Sequence, residues 1–465
     1  MRMSRITKVV ASATLLFTAA ALTGCSNSAR SDNDSKTITV WSQENQPDRV
    51  NATKTIIEGF TKKTGIKVKL VPVDENQIPQ LVASAAISGS LPDVMGAISL
   101  SIVRQLDTQK LLNTDAAANV VTALGEKTFV GSALDLDRDG DRQLAVPDSA
   151  YAQILVYRKD LFEKAGLKPP TTYADLEKAA KTLTNGSTYG ITLATDPADV
   201  FTSQTFESLA LGNNCQLVDK SGTIGLNSSA CATTWNLYGA LAQHYSPQGT
   251  QTVDTTRATY FAGQAAMVDW STYILDELGG LRNDALPTCP QCTSDPTWLA
   301  KNSGIVTAIQ GPDGTQGATY GEATSWLVTK NANAPASEKF LEYMLSDGYL
   351  EWLGVAPEGK FPLRTGTAEA STKFTDGWKS LEAGVDTKKK LSDLYDAATI
   401  DALLRVPSEI NRWAIPQGQG ALLGPVNAQL PVSKAAASLS SGTSPSDAAA
   451  AATSAVDQLQ AKLKK

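Results

Sequence analysis

From Thr37 to Trp41 apolar and polar residues alternate, a period of two that predicts a strand. The period then lengthens. Between Ala52 and Lys63 the apolar residues Ile56, Ile57 and Phe60 fall on one side of a helix, and Thr64-Gly65 supplies its stop. Alternation returns over Ile66-Lys-Val-Lys-Leu-Val-Pro72, a second strand. Gln77 to Ser88 reads as a helix broken by Gly89, and Pro92-Asp-Val-Met95 starts a short buried strand. Strand, helix, strand, helix, strand at this spacing predicts an α/β sheet with crossover helices. Further on, Leu144–Pro147 and Ile154–Tyr157 predict two strands joined by an extended crossing, and Lys159 begins a short helix. Another helix opens after Thr171 or Thr172, either of which can cap it. Tyr260 to Trp270 reads as a helix end, a turn and a strand, Ser325–Thr329 as a strand, and Ala334–Leu345 as a helix. The Ala-rich stretch from Lys434 has helical spacing, broken near Gly442 to Pro445.

Ahead of this pattern stands a different one. Arg2, Arg5 and Lys8 precede an uncharged run from Val9 to Leu22, too short for a comfortable membrane span and suited to an export signal. The run ends in Leu22-Thr-Gly-Cys25, which resembles the bacterial lipobox. That resemblance implies a signal peptide over 1–24, lipidation of Cys25, and a flexible polar tether over 25–36. The protein is then expected on the extracytoplasmic face of the cell membrane, held by acyl chains at roughly 0.8 kcal/mol per buried methylene.

Composition narrows the class. With 465 residues, 42% hydrophobic and 19% charged, the chain suits a folded globular class, as two to three ordinary domains or one two-lobed protein, rather than wholesale disorder. Its net charge is -6, and loss of the signal leaves 38 basic against 47 acidic side chains. An acidic chain with no basic block argues against nucleic acid or an anionic lipid surface as partner. Four cysteines follow Cys25, an even number that suggests two disulfides in an exported protein. Cys215–Cys231 with Cys289–Cys292 is the simplest of the three connectivities. Cys289-Pro-Gln-Cys292 also has redox or half-zinc-site spacing, but it sits in a proline-rich loop and the only histidine is His244.

Catalytic signals are sparse. His244 is the single imidazole available to a nucleophile, and no nucleophile elbow, P-loop or zinc-protease motif is present. The Asp135, Asp137, Asp139, Gly140 run opens like a calcium loop, yet Val146 stands where the bidentate glutamate belongs, so a solvated turn is expected. A glycosidase needs only two carboxylates, and 47 acids leave that class open. The pattern that stands out is aromatic residues beside polar ones at strand ends: Trp41-Ser-Gln-Glu-Asn45, Asp148-Ser-Ala-Tyr151, Asp269-Trp-Ser-Thr-Tyr273 and Glu322-Ala-Thr-Ser-Trp326. Ligands of open α/β folds lie beyond the carboxyl ends of strands, and a sugar offers hydroxyls to polar groups and a ring face to an aromatic.

Several stretches, in order along the chain, resemble the family 1 extracellular solute-binding proteins of bacterial ABC importers, the group that includes maltose-binding protein. They are the lipobox, Thr37-Ile-Thr-Val-Trp-Ser42, Phe60-Thr-Lys-Lys-Thr-Gly-Ile-Lys-Val68, Leu91-Pro-Asp-Val94, the run from Leu144 to Tyr173, Phe261-Ala-Gly-Gln-Ala-Ala-Met267, Lys339-Phe-Leu-Glu-Tyr-Met344 and Phe361-Pro-Leu-Arg364. The resemblance implies an α/β, two-lobed, type II binding-protein fold with the ligand cleft between lobes. Residues 37–147 plus 323–366 would form lobe 1, and 148–322 plus 367–465 lobe 2. Crossings are expected near Pro147 to Gln153, near Thr319 to Ser325 and after Arg364.

Carried over position by position, the ligand set would be Trp41, Gln43 and Glu44 after the first strand, Ser99, Tyr151 at the hinge, and Phe201 with Gln204 on a loop of the second lobe. It continues with Asp269 and Trp270 as the strongest stacking position, Glu322 and Ser325 at the second crossing, Arg364, and Trp413 as a platform. Around Ser99 the family's aromatic and charged groups are replaced by Ala97 and Leu100. The expected function is capture of a carbohydrate, an oligosaccharide, for delivery to the transmembrane subunits of a permease, by a monomer without catalysis, cofactor or metal. An exported glycosidase is the alternative, and a sensory lipoprotein a third.

Overall fold

The computed structural model describes residues 36–464 with the exception of residue 76. The signal segment and Cys25 lie outside the described residues. Thr37–Ser42 has a parallel neighbour on each side, Lys67–Pro72 and Val94–Ser99. The helices Pro47–Thr64 and Ile78–Ser88 make the two crossovers. The first of them starts five residues before Ala52, because Pro47 occupies the first turn, where its missing N–H is not needed. Gly65 ends it at φ +73°, returning its N–H to the Thr61 carbonyl.

The two strands expected at 144–147 and 154–157 are one strand of 13 residues, Val146–Arg158. Asp148 and Ser149 do not break it, since both are buried and partnered. The Trp352 indole N–H donates to Asp148 Oδ1 at 3.0 Å, and the Ser149 and Thr324 hydroxyls meet at 2.9 Å. The first half of this strand pairs antiparallel with Thr319–Val328, and the second half with Met267–Ser271 and Ser303–Val306. One strand thus belongs to both lobes. Thr319–Val328 likewise begins six residues before the expected Ser325. It pairs with Val94–Ser99 at its far end, while Ile410–Asn411 lies parallel to its first residues.

The buried apolar residues fall into separate clusters, one of which runs across both lobes from Val40 and Phe60 to Val268 and Trp270. One core gathers Leu176, Phe206, Trp235 and Tyr238 with the C-terminal helices Pro431–Ser440 and Pro445–Leu463. Another centres on Val40, Phe60, Trp326, Phe340 and Trp352. Trp326 lies directly over Gly96, where a Cβ would collide with its ring, so a side chain there would overpack the sheet by about 1–3 kcal/mol. One residue on, Ala97 takes φ +56° at a register shift between Met95 and Ile98. Such a bulge re-aims the residues beyond it, here Ser99 at the strand's end.

Both local disulfides are formed, Cys215–Cys231 and Cys289–Cys292. The second is buried in a turn rather than exposed at a helix start. The aspartate-rich segment is a two-stranded hairpin, Arg138–Asp139 with Arg142–Gln143. Asp137 is buried beneath it and accepts the Ser325 hydroxyl, and Asp139 pairs with Arg142. Among the described residues no group of His, Cys, Asp and Glu could hold a metal ion, and no helix is long and apolar enough to cross a membrane.

Candidate functional site

A cleft of about 420 Å³ opens between the lobes, and a cavity of about 510 Å³ continues from it past Gln43, Glu75, Gln204 and Glu322. The floor comes from the crossing strands. Tyr151 and Glu322 are register partners there. The Tyr151 hydroxyl accepts from Gln204 Nε2 at 3.1 Å. Glu322 Oε1 accepts the backbone N–H of Leu100 at 2.8 Å, and its Oε2 lies 2.5 Å from Arg412, which also pairs with Glu207 at 3.3 Å.

The first wall is the loop after Thr37–Ser42. Glu44 is buried between Lys360 at 2.6 Å and Arg49 at 3.1 Å. Burial opposes its charge, but Lys360 and then Arg49 outweigh that and hold its pKa at about 2. Arg49 also lies 4.8 Å above the Tyr273 ring, a cation–π contact reaching across to the opposite wall.

The second wall is aromatic. Phe201 meets Trp270 edge-on at 5.9 Å between ring centroids. Phe201 lies in the first turn of the helix Val200–Gly212, capped by Asp199, rather than on a loop. The Trp270 indole N–H donates to the Val253 carbonyl at 3.1 Å, which fixes the ring plane. Arg257 stands 5.9 Å from the Trp270 ring, tied to Asp254 and Glu277.

Gln43, Glu44, Ser99, Tyr151, Phe201, Gln204, Trp270 and Glu322 line the cleft. The other residues named from sequence do not. Trp41 packs on the cluster around Val73 and Met95. Asp269 alternates with Trp270 along the strand and so faces away. It is buried, accepts the Ser208 hydroxyl at 3.1 Å, and burial pushes its pKa up to about 8. Ser325 alternates with Thr324 in the same way and is spent on Asp137. Arg364 donates to the Thr128 hydroxyl, to the Leu124 carbonyl and to the Leu345 carbonyl, holding its lobe together. Trp413 packs against Phe206, and its indole donates to the Cys215 carbonyl at 2.8 Å.

Sequence reasoning missed several groups on the walls, chiefly Arg49, Glu75, Tyr273, Asp276, Glu277 and Arg282. Two were within reach. Tyr273 lies three positions past Trp270, and Glu75 sits beyond the carboxyl end of a parallel strand, where ligands of such folds collect. Solvent reaches Glu75, yet the walls around it strip much of its hydration. That loss, then Glu322, Asp199, Asp74 and Glu44, pushes its pKa up to about 7. Asp276 and Glu277 are raised to about 7 as well, burial being the main cause in each.

Two α/β lobes joined by shared strands, with a polar and aromatic cleft between them, define a solute-binding protein. Residues 44–351 match the model of the bacterial extracellular solute-binding proteins, and the chain belongs to that family. It is 30% identical over 336 residues to a protein of Escherichia coli (strain K12) named as an ABC transporter periplasmic-binding protein, YcjN, covering 70% of this chain and 73% of that one. Its fold is similar to that of maltose-bound MalE3 of T. maritima, with TM-score 0.69, 18% identity, and 91% and 99% of the two chains covered. It is also similar to the GacH receptor of Streptomyces glaucescens GLA.O, solved unliganded and with acarbose, with TM-score 0.67, 19% identity and coverage of 91% and 98%. A sugar transporter protein of Arthrobacter chlorophenolicus A6 with bound laminaribiose gives TM-score 0.63, 18% identity and coverage of 92% and 98%. The chain is the solute-binding component of an ABC transporter.

Proposed function

We propose that the solute is a carbohydrate of more than one ring, held in the cleft between lobes and handed unchanged to the transmembrane permease subunits. The observation that carries this reading is the Phe201–Trp270 pair facing Gln43, Glu44 and Glu322 across the cleft. The aromatic pair offers a surface to a ring face, and the opposite side offers acceptors and an amide to hydroxyls. The second cavity gives a chain room to continue, and maltose, acarbose and laminaribiose are bound by the proteins of similar fold.

In this reading the lobes divide as 37–147 with 323–366 and 148–322 with 367–465, and they close as hinged bodies about the crossing strands. The protein works as a monomer outside the cytoplasm, tethered through lipid on Cys25.

The test is a thermal-shift screen of the chain from Ser26 onward against mono- and oligosaccharides and glycerophosphodiesters, followed by recovery of the ligand. A ligand at a hundred times its Kd adds about 2.7 kcal/mol of stability. A sugar that shifts the transition and is recovered intact supports the proposal. A sugar that is consumed makes the protein a glycosidase, and a shift from none of the sugars removes the carbohydrate.

A further inference from the structure

Among the described residues, three guanidiniums line the cleft, and each is already matched. Arg49 is paired with Glu44 at 3.1 Å, Arg257 with Asp254 at 2.8 Å and Glu277 at 2.9 Å, and Arg282 with Asp284 at 3.1 Å. Carboxylates remain beyond these pairs. Glu75 projects into both cavities and has no ion-pair partner among the described residues. Asp276 is 1% exposed and lines the same cleft, yet its Oδ1 has no hydrogen-bond partner. Glu277, 7% exposed, spends Oε1 on Arg257 and leaves Oε2 without a partner. Buried acceptors without donors cost free energy until a ligand supplies the donors.

Hydroxyls could satisfy Asp276 and Glu277, whose charge Arg282 and Arg49, and Arg257 and Arg282, already oppose, but would leave the charge of Glu75 unbalanced. An ammonium group does both, because it brings donors, accepts nothing and carries a positive charge. Resting on the carbohydrate reading above, we propose that the solute carries a basic nitrogen, as an amino sugar or an aminated polyol does, and that Glu75 receives its ammonium group. The aromatic pair then holds the ring, and the carboxylates select the amine.

The groups facing Glu75 give this a second signature. They are Glu44 and Asp74 from the first lobe, Asp199 from the second, and Glu322, Tyr151 and Tyr320 from the crossing strands. Glu44 is already paired with Lys360 and Arg49, and Glu322 with Arg412. None of the six brings a positive charge to Glu75, whose pKa of about 7 leaves it partly protonated near neutral pH. An arriving ammonium lowers that pKa, so binding releases a proton near pH 6.5.

Isothermal titration at pH 6.5, in two buffers of different ionisation enthalpy, tests this. The probes are the amino, N-acetylamino and hydroxyl forms of gluco-, galacto- and manno-configured mono- and disaccharides, with putrescine as an amine lacking the ring. The expected result is an amino form bound at least about tenfold tighter than its acetylated and hydroxyl counterparts, with proton release. In Glu75→Gln that preference and the proton release should both vanish while the unfolding midpoint of the free protein is at least that of wild type, because the cost of its raised pKa is removed. A hydroxyl or acetylated form that binds as tightly as the amino form overturns the amine and leaves the carbohydrate reading standing. Binding of putrescine with no sugar bound keeps the amine and removes the carbohydrate, and binding by no probe overturns both.

Discussion

Tyr151 and Glu322 oppose each other on adjacent antiparallel strands, and both side chains form the floor of the cleft. Residues directly opposed in a sheet share a face, so the register of these two strands places phenol and carboxylate side by side. The same strands carry the chain between lobes. The floor of the cleft and the crossing between lobes are therefore one piece of sheet. Glu322 extends that piece in two directions, to the Leu100 N–H on one side and to Arg412 on the other.

Glu322→Gln should destabilise the free protein by roughly 3 kcal/mol, the lower end of the cost of unpairing a buried charge. Arg412 would keep Glu207 at 3.3 Å, which limits the loss, and an amide oxygen can still accept from Leu100. Urea unfolding followed by circular dichroism measures the change. A midpoint equal to wild type would show that Glu207 alone suffices for Arg412.

Trp270 belongs to both core and cleft, being 6% exposed. Trp270→Ala should cost about 3–5 kcal/mol of stability in addition to ligand affinity. Trp270→Phe keeps an aromatic surface and gives up the Nε1–H bond to Val253, about 1 kcal/mol. Titration of a bound sugar should find the Phe variant at most about tenfold weaker than wild type, and the Ala variant without measurable binding. Wild-type affinity in the Ala variant would take the ring out of the site.

Asp269 sets a pH dependence. Its pKa is raised by burial to about 8 in the folded chain, against about 3.9 in an unfolded one. Between those values the folded state binds more protons, so this group's contribution is complete below about pH 4 and is lost as pH rises toward 8. Asp137, raised to about 7, and Glu358, raised to about 8, act in the same sense, while Glu44, held at about 2, acts oppositely and only in strong acid. The melting temperature should therefore fall from pH 5 to pH 9, and Asp269→Asn should flatten that slope. An unchanged slope in the variant would place the titration elsewhere.

The two disulfides should differ in worth. Cys215–Cys231 closes a separation of 16 residues and should contribute about 3 kcal/mol by restricting the unfolded chain, whereas Cys289–Cys292 closes a separation of 3 and should contribute less. Paired serine substitutions, compared by denaturant unfolding, rank them. A larger loss at the 289–292 pair would point to packing of its buried turn instead of chain entropy.

The alternating and helical periods in the first hundred residues determined the three parallel strands and their crossovers, because those elements are made by local spacing and stopped by Gly65 and Gly89. The local sequence also determined a threonine cap at 171 or 172, of which the structure uses Thr172, the C-terminal helices, and Gln43 and Trp270 at strand ends. Tertiary structure decided the fate of polar groups. Asp148 and Ser149 read as part of an extended crossing between two strands, yet partners from Thr324 and Trp352, far away in sequence, let one strand run through them. Alternation along a strand turned Asp269 and Ser325 away from the cleft while presenting Trp270 and Thr324 to it, a choice of face that depends on which side the core lies. Arg49, Glu75, Asp276 and Glu277 come from segments that meet only when the lobes do. A charge declares its role through the charges beside it, and in this cleft those neighbours come from distant parts of the chain.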